Sequence, residues 1–235
     1  MSSKSGGDAL SYDKGVVCII PAFNEEKTVA SVAEVVARSE LVKRVIVVDD
    51  GSNDSTSRMA STVEGVQVIR HETNLGKGAA MDTGLKASDE EVVLFIDADL
   101  IGLKPQHLAQ LLLPVLAGEA DMTVGIFRGG RLSTDLAHKV APSLSGQRAV
   151  KRSVIEGLDL NSVGFGVERA LTDLWEEGRI VVKKVILEGV THLMKEEKRG
   201  YWEGFKQRMG MYLDILRYEC CALWRKIGLA KRGRG

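Results

Sequence analysis

The chain has 235 residues, with 32 Lys plus Arg against 32 Asp plus Glu, and 44% of its residues are apolar. That balance is ordinary for a globular protein and gives no reason to expect a nucleic-acid partner. No apolar run approaches the ~20 residues that cross a bilayer, and Cys18, Cys220 and Cys221 form neither a disulfide framework nor a zinc spacing, so a cytoplasmic protein is expected.

In chain order, residues 1–14 are polar and small, read as disordered and lack the apolar core of a signal peptide. Val16 to Ile20 reads as a buried strand stopped by Pro21, and Asn24-Glu25-Glu26 opens a helix to about Ser39, with acids in its first turn. A second strand, Arg44 to Val48, ends in Asp49-Asp50-Gly51-Ser52, and a helix follows from about Ser55. Val66 to Arg70 is a third strand, and Asn74-Leu75-Gly76-Lys77-Gly78 feeds a helix to about Ala87. The run Val92 to Ile96 is a strand buried on both faces. Pro105 starts a helix to about Ala117, and Asp121 to Phe127 is a strand. This alternation predicts an α/β fold with a mostly parallel sheet covered on both faces. From Arg128 to Arg152 the pattern loosens into a long basic loop. A helix to about Glu177 and a strand from Ile180 to Leu187 follow. Residues 199–227 carry an aromatic-rich amphipathic stripe, and 228–235 form a basic tail.

The chemistry concentrates after the strands. Asp97 and Asp99 follow the fourth strand; alternation would turn both to one side, at the sheet edge where open α/β folds bind ligands. Two carboxylates converging there suit Mg²⁺ or Mn²⁺, which in turn bind phosphates. The stretch 21–25 offers backbone groups and a helix N-terminus, Asp50 an acceptor for a base N–H, and Lys77 a cation for a phosphate or a base edge. The Gly-containing loop at 74–78 matches neither the phosphate-binding loop nor the dinucleotide fingerprint.

Taken together, Pro-Ala-Phe-Asn-Glu-Glu (21–26), Val-Val-Asp-Asp-Gly-Ser-Asn-Asp-Ser-Thr (47–56), Asn-Leu-Gly-Lys-Gly (74–78) and Phe-Ile-Asp-Ala-Asp (95–99) closely resemble family 2 glycosyltransferases of the GT-A fold. Residues 141–195 carry a second likeness. Pro142 to Ala149, Gly164 to Glu168 and Gly189 to His192 resemble the back half of glucosyl-3-phosphoglycerate synthases, with Ser145, Gln147 and Arg148 departing from the usual pattern. The resemblance implies a Rossmann-like nucleotide-sugar-binding half at 15–127, an acceptor-binding half at 128–198, and a nucleotide-sugar donor, with UDP as the nucleotide. Pro21, Ala22, Phe23 and Glu25 would line the nucleotide pocket. Asp50 would read the uracil, Lys77 would touch the nucleotide, and Asp97 with Ala98 would lie by the ribose. Asp99, together with Asp97 and His192, would hold Mg²⁺ or Mn²⁺. Gly146, Gln147 and Arg148 would face the acceptor. Glu168 would be the general base of an inverting enzyme or, in a retaining one, would hold sugar hydroxyls; both roles stay open.

The basic loop suits an anionic acceptor, a phosphorylated small molecule or a lipid phosphate. The closing helix suits its own domain, a homodimer or the inner face of an anionic membrane. Two other readings stand beside the enzyme: a nucleotidyltransferase, and a non-catalytic module binding sugar nucleotides or polyprenyl phosphate. The first would want a Gly-rich basic loop after the first strand, which 21–24 lacks; the second would not need both Asp97 and Asp99.

Overall fold

The computed structural model describes residues 15–128, 146–156 and 166–193. The expected disordered N-terminus, most of the basic loop, the closing helix and the basic tail lie outside them. The chain divides into two units, Met1–His192 and Leu193–Gly235, and the fold described below is that of the first.

Its strands are β1 (Val16–Ala22), β2 (Arg44–Asp49), β3 (Val66–Arg70), β4 (Val92–Phe95), β5 (Leu100–Ile101), β6 (Met122–Arg128), β7 (Arg148–Lys151), β8 (Val182–Glu188) and β9 (Thr191–His192). Its helices are α1 (Val29–Ala37), α2 (Thr56–Ala60), α3 (Lys77–Lys86), α4 (Pro105–Leu116), α5 (Arg152–Ile155) and α6 (Gly166–Glu176). Seven strands form one sheet in the order β3-β2-β1-β4-β7-β6-β8, and β5 pairs with β9 in a separate ribbon. β1 to β4 run parallel, as does β8 with β6, while β7 runs antiparallel to both its neighbours. The expected mostly parallel α/β sheet is therefore present.

Period-two alternation along the central strands builds two cores. Cys18, Ile20, Val47 and Leu94 face α1 and α4, where Val32, Val36, Leu108, Leu111 and Leu112 close over them. Val17, Ile19, Ile46 and Phe95 face the other way, onto Ala80 and Met81 of α3. A Cβ on Gly84 would meet Ile19 Cγ2 at 2.5 Å, so the absent side chain lets α3 lie close on β1. Burial pushes the Cys18 thiol up, which makes it an inert apolar filler.

Four expectations need correction. Pro21 does not stop the first strand, which runs on to Ala22. Ile19 accepts from Ile96 on the β4 side and Ala22 from Asp50 on the β2 side, so Pro21 faces the side where β4 has already ended and its missing N–H breaks no ladder bond. The first helix begins at Val29, with no acids in its first turn, because residues 24–26 are bonded to another loop. The end of the presumed basic loop is a strand: β7 lies between β4 and β6, with Ala149 and Val150 fully buried. Finally, β4 ends at Phe95, so Asp97 and Asp99 sit in a turn rather than alternating along a strand.

Candidate active site

Two loops at the C-terminal edge of the sheet hold each other. Asn24, at φ 55, donates its N–H to Ser52 Oγ at 2.8 Å. The Glu25 N–H donates to Thr56 Oγ1 at 2.8 Å and that of Glu26 to Asp54 Oδ2 at 3.3 Å. In return, the Asn53 N–H reaches Asn24 Oδ1 at 2.9 Å and the Ser55 N–H reaches Glu26 Oε2 at 3.0 Å. The Asp-Gly-Ser-Asn-Asp-Ser-Thr run is thus a set of short side chains that satisfy main-chain donors of a neighbouring loop. Gly51, at φ 71, has no room for a side chain, since a Cβ would stand 2.5 Å from Thr73 C. This clasp fixes the segment Pro21, Ala22, Phe23 and Glu25 at the end of β1, where Ala22 is buried and the other three are partly open.

Asp50 is 3% exposed. Its Oδ1 accepts the Leu75 N–H at 2.9 Å and its Oδ2 accepts the Gly76 N–H at 2.8 Å. Gly76, at φ 96, precedes α3, whose first residue is Lys77. The Lys77 Nζ reaches across to Asp97 Oδ1 at 2.8 Å.

Asp97, Asp99 and His192 offer ligand atoms that all lie within 4.8 Å of one another. The convergence comes from the small ribbon: β5 leaves the Asp97–Asp99 turn and pairs antiparallel with β9, setting Leu100 opposite His192. His192 Nδ1 then lies 2.8 Å from Asp99 Oδ1, and Phe127 packs its edge against the imidazole at 4.9 Å between centroids. Gly102 and Gly189, both at positive φ, make the ribbon possible; a Cβ on Gly102 would stand 2.4 Å from Gly189 O.

Asp97 has further neighbours. Gln147, fully buried, donates from Nε2 to Asp97 Oδ2 at 2.8 Å, and Gly146 leaves just enough space for the carboxylate. Burial alone pushes the Asp97 carboxyl up, but Lys77, His192 and Gln147 outweigh it and hold it below the ordinary carboxylate range. Burial would also lower His192, yet Asp99, aided by Asp97, lifts it above its ordinary value. Two carboxylates and an imidazole whose ligand atoms lie within reach of one cation form a donor set that fits Mg²⁺ or Mn²⁺.

Ala98 is buried in the turn between the two acids. Arg148 lies inside β7 and is 1% exposed, opposite Phe95 and Val124. Glu168 belongs to α6, and its side chain is outside the described residues. Sequence reasoning missed His71 and Phe127. A single histidine or phenylalanine beside a strand end carries no local signal, and each gains its place only from the pairing of distant strands.

The family model described as Glycosyl transferase family 2 matches residues 17–170. Glucosyl-3-phosphoglycerate synthase of Mycobacterium tuberculosis strain H37Rv is 30% identical over 201 residues, which cover 70% of this chain and 61% of that protein. The chain thus spans about three fifths of the length of that relative. The UDP-N-acetylglucosamine–dolichyl-phosphate N-acetylglucosaminyltransferase of Methanococcus voltae is 31% identical over 132 residues, 48% of this chain and 52% of that one. The crystal structure of the M. tuberculosis synthase with Mn²⁺ and UDP-glucose superposes with a TM-score of 0.67 at 29% identity, covering 79% of this chain and 73% of that one. The same enzyme with Mg²⁺ and UDP gives a TM-score of 0.64 at 30% identity, with 79% and 74% covered. With a family match across more than half its length, the chain belongs to glycosyl transferase family 2.

Proposed function

We propose that the protein transfers a sugar from a UDP-sugar to an acceptor bearing a phosphate. The observation that carries this reading is the cluster of Asp97, Asp99 and His192 beside Lys77, at the sheet edge framed by the two clasped loops. Asp99, Asp97 and His192 would hold Mg²⁺ or Mn²⁺, which neutralises charge growing on a departing diphosphate. Pro21, Ala22, Phe23 and Glu25 line the nucleotide side, and Ala98 spaces the two acids beside the ribose. Among the described residues, Leu75, Gly76 and His71 take three of the roughly four acceptor positions of the Asp50 carboxylate, which leaves one for the uracil N–H. Lys77 moves its charge from Asp97 to the phosphates.

In the reaction the bond from the anomeric carbon to the diphosphate oxygen breaks, and the acceptor oxygen bonds to that carbon and loses its proton. Glu168 serves at this centre, taking the proton in an inverting enzyme or, in a retaining one, holding sugar hydroxyls while an oxygen of the departing diphosphate takes the proton. Gly146, Gln147 and Arg148 border the acceptor side, with Gln147 linking that side to Asp97. The acceptor class is supported by two relatives. The M. tuberculosis synthase has been crystallised with phosphoglyceric acid, and the M. voltae enzyme is named for dolichyl phosphate. Among the described residues no helix is long and apolar enough to cross a membrane. The closing segment, 199–227, would supply a self-association or lipid-facing surface.

The test is thermal unfolding with UDP, with and without Mn²⁺, followed by a screen of UDP- and GDP-sugars for slow hydrolysis. A metal-dependent rise in the unfolding temperature is expected with UDP. No rise, or an equal one without metal, would remove the donor site.

A further inference from the structure

His71 follows β3 directly, and no role in the chemistry above requires it. Its main-chain N–H donates to Asp49 O at 2.9 Å, and its ring is held from both ends. Nδ1 lies 2.8 Å from Asp50 Oδ1; a carboxylate only accepts, so Nδ1 donates. Nε2 lies 2.9 Å from Thr83 Oγ1, in the second turn of α3. The side chain is 10% exposed and that of Asp50 is 4% exposed, so these bonds are shielded from water, where they are strongest. His71 therefore joins the ends of β2 and β3 to α3. Asp50 in turn holds the amides of Leu75 and Gly76.

What this network encloses is the turn that launches Lys77. Gly76 has a freedom of backbone that would let the start of α3 wander. Ordering that turn only when a ligand arrives would weaken binding. We propose that His71 is a positioning residue for the nucleotide diphosphate: by bridging Asp50 and Thr83 it fixes the Leu75–Gly76 turn and so presents Lys77 beside Asp97 before the donor binds. The proposal rests on the nucleotide-sugar reading above.

Calorimetric titration of UDP with Mn²⁺ present tests it in wild type, His71→Ala, His71→Asn, Lys77→Met and the double variant His71→Ala/Lys77→Met. His71→Ala is expected to weaken UDP binding about tenfold. Asn can donate from Nδ2 to Asp50, so His71→Asn should recover most of the loss. On the Lys77→Met background, His71→Ala should change affinity by less than about twofold, because the effect runs through Lys77. Additive losses, or no recovery with Asn, would overturn the proposal. If His71→Ala does not fold, Thr83→Val removes the Nε2 bond alone and should weaken UDP about threefold, again only while Lys77 is present. Wild type that fails to bind UDP overturns the donor site and this proposal together; wild type and His71→Ala binding UDP equally overturn this proposal alone.

Discussion

A Cβ placed on Gly146 would stand 2.3 Å from Asp97 Oδ2, closer than any stable contact. The next residue, Gln147, donates to that same oxygen at 2.8 Å. The approach to β7 is thus shaped around one carboxylate. Gly146→Ala is expected to displace Asp97 and weaken UDP binding in Mn²⁺ about tenfold or more, since the carboxylate loses a charge-assisted bond and its aim. Gly84→Ala is the comparison. Its Cβ would strike Ile19 Cγ2 at 2.5 Å in the core, so it should cost about 1–3 kcal/mol of stability. Urea unfolding and UDP calorimetry on both variants separate the two outcomes. Gly146→Ala with wild-type UDP affinity would mean that Asp97 has no part in the donor site.

Asp99 carries the largest metal prediction. A ligand that binds only the folded state, at 100 times its Kd, stabilises by about 2.7 kcal/mol. Wild type with UDP and Mn²⁺ at that excess should show a rise in unfolding temperature of about 5–10 °C. Asp99→Ala should lose most of it and abolish turnover, because of the three candidate ligands among the described residues Asp97 and His192 would remain. A rise that persists in Asp99→Ala would move the metal elsewhere.

For Glu168, position in the reaction rather than in binding is the point at issue. Glu168→Gln keeps size and polarity but removes the charge. UDP affinity should stay within about twofold while transfer slows by about 10²–10⁴, the range for a lost general acid or base. Equal losses in binding and rate would make Glu168 a structural residue.

The sheet's first half was legible because its signals are local. Runs such as Val16-Val17-Cys18-Ile19-Ile20 are apolar at every position, as strands buried on both faces must be. α4 was bounded by Pro105 at its first position. β7 was illegible because Arg148-Ala149-Val150-Lys151 holds two apolar residues between two cations. It becomes a strand only because β4 and β6 present open edges on either side. The start of α1 was misplaced for a related reason. Asn24, Glu25 and Glu26 look like a helix entry, but their N–H groups are taken by Ser52, Thr56 and Asp54. At the site, the grouping of Asp97, Asp99 and His192 was anticipated, although the geometry behind it was not. Two residues of β9 pairing with two of β5 leave no pattern in the chain, yet that pairing is what carries His192 to Asp99.

Far from the site, Asp121 joins three strands at the opposite end of the sheet's second half. Its carboxylate accepts from Lys151 Nζ at 2.8 Å and from the Val181 N–H at 2.9 Å, while its own N–H and C=O bond Val181 and Lys151. The Lys151 hydrogen bond, then that of Val181, holds the Asp121 carboxyl below the ordinary carboxylate range against a smaller opposing effect of burial. A depressed carboxyl stabilises the fold above the unfolded-state value, about 3.9, and that contribution fades as pH falls through the lower folded value. The side chain is 30% exposed, so solvent screening limits the contribution to about 0.5–1 kcal/mol. Asp121→Asn keeps an acceptor for Val181 but loses the charge that pairs with Lys151. It should therefore be less stable than wild type by that amount at pH 7, and the gap should narrow progressively as pH falls below about 4. Urea midpoints at pH 7 and pH 3 measure it. A gap that stays constant between them would show that Asp121 acts through its shape and not through its charge.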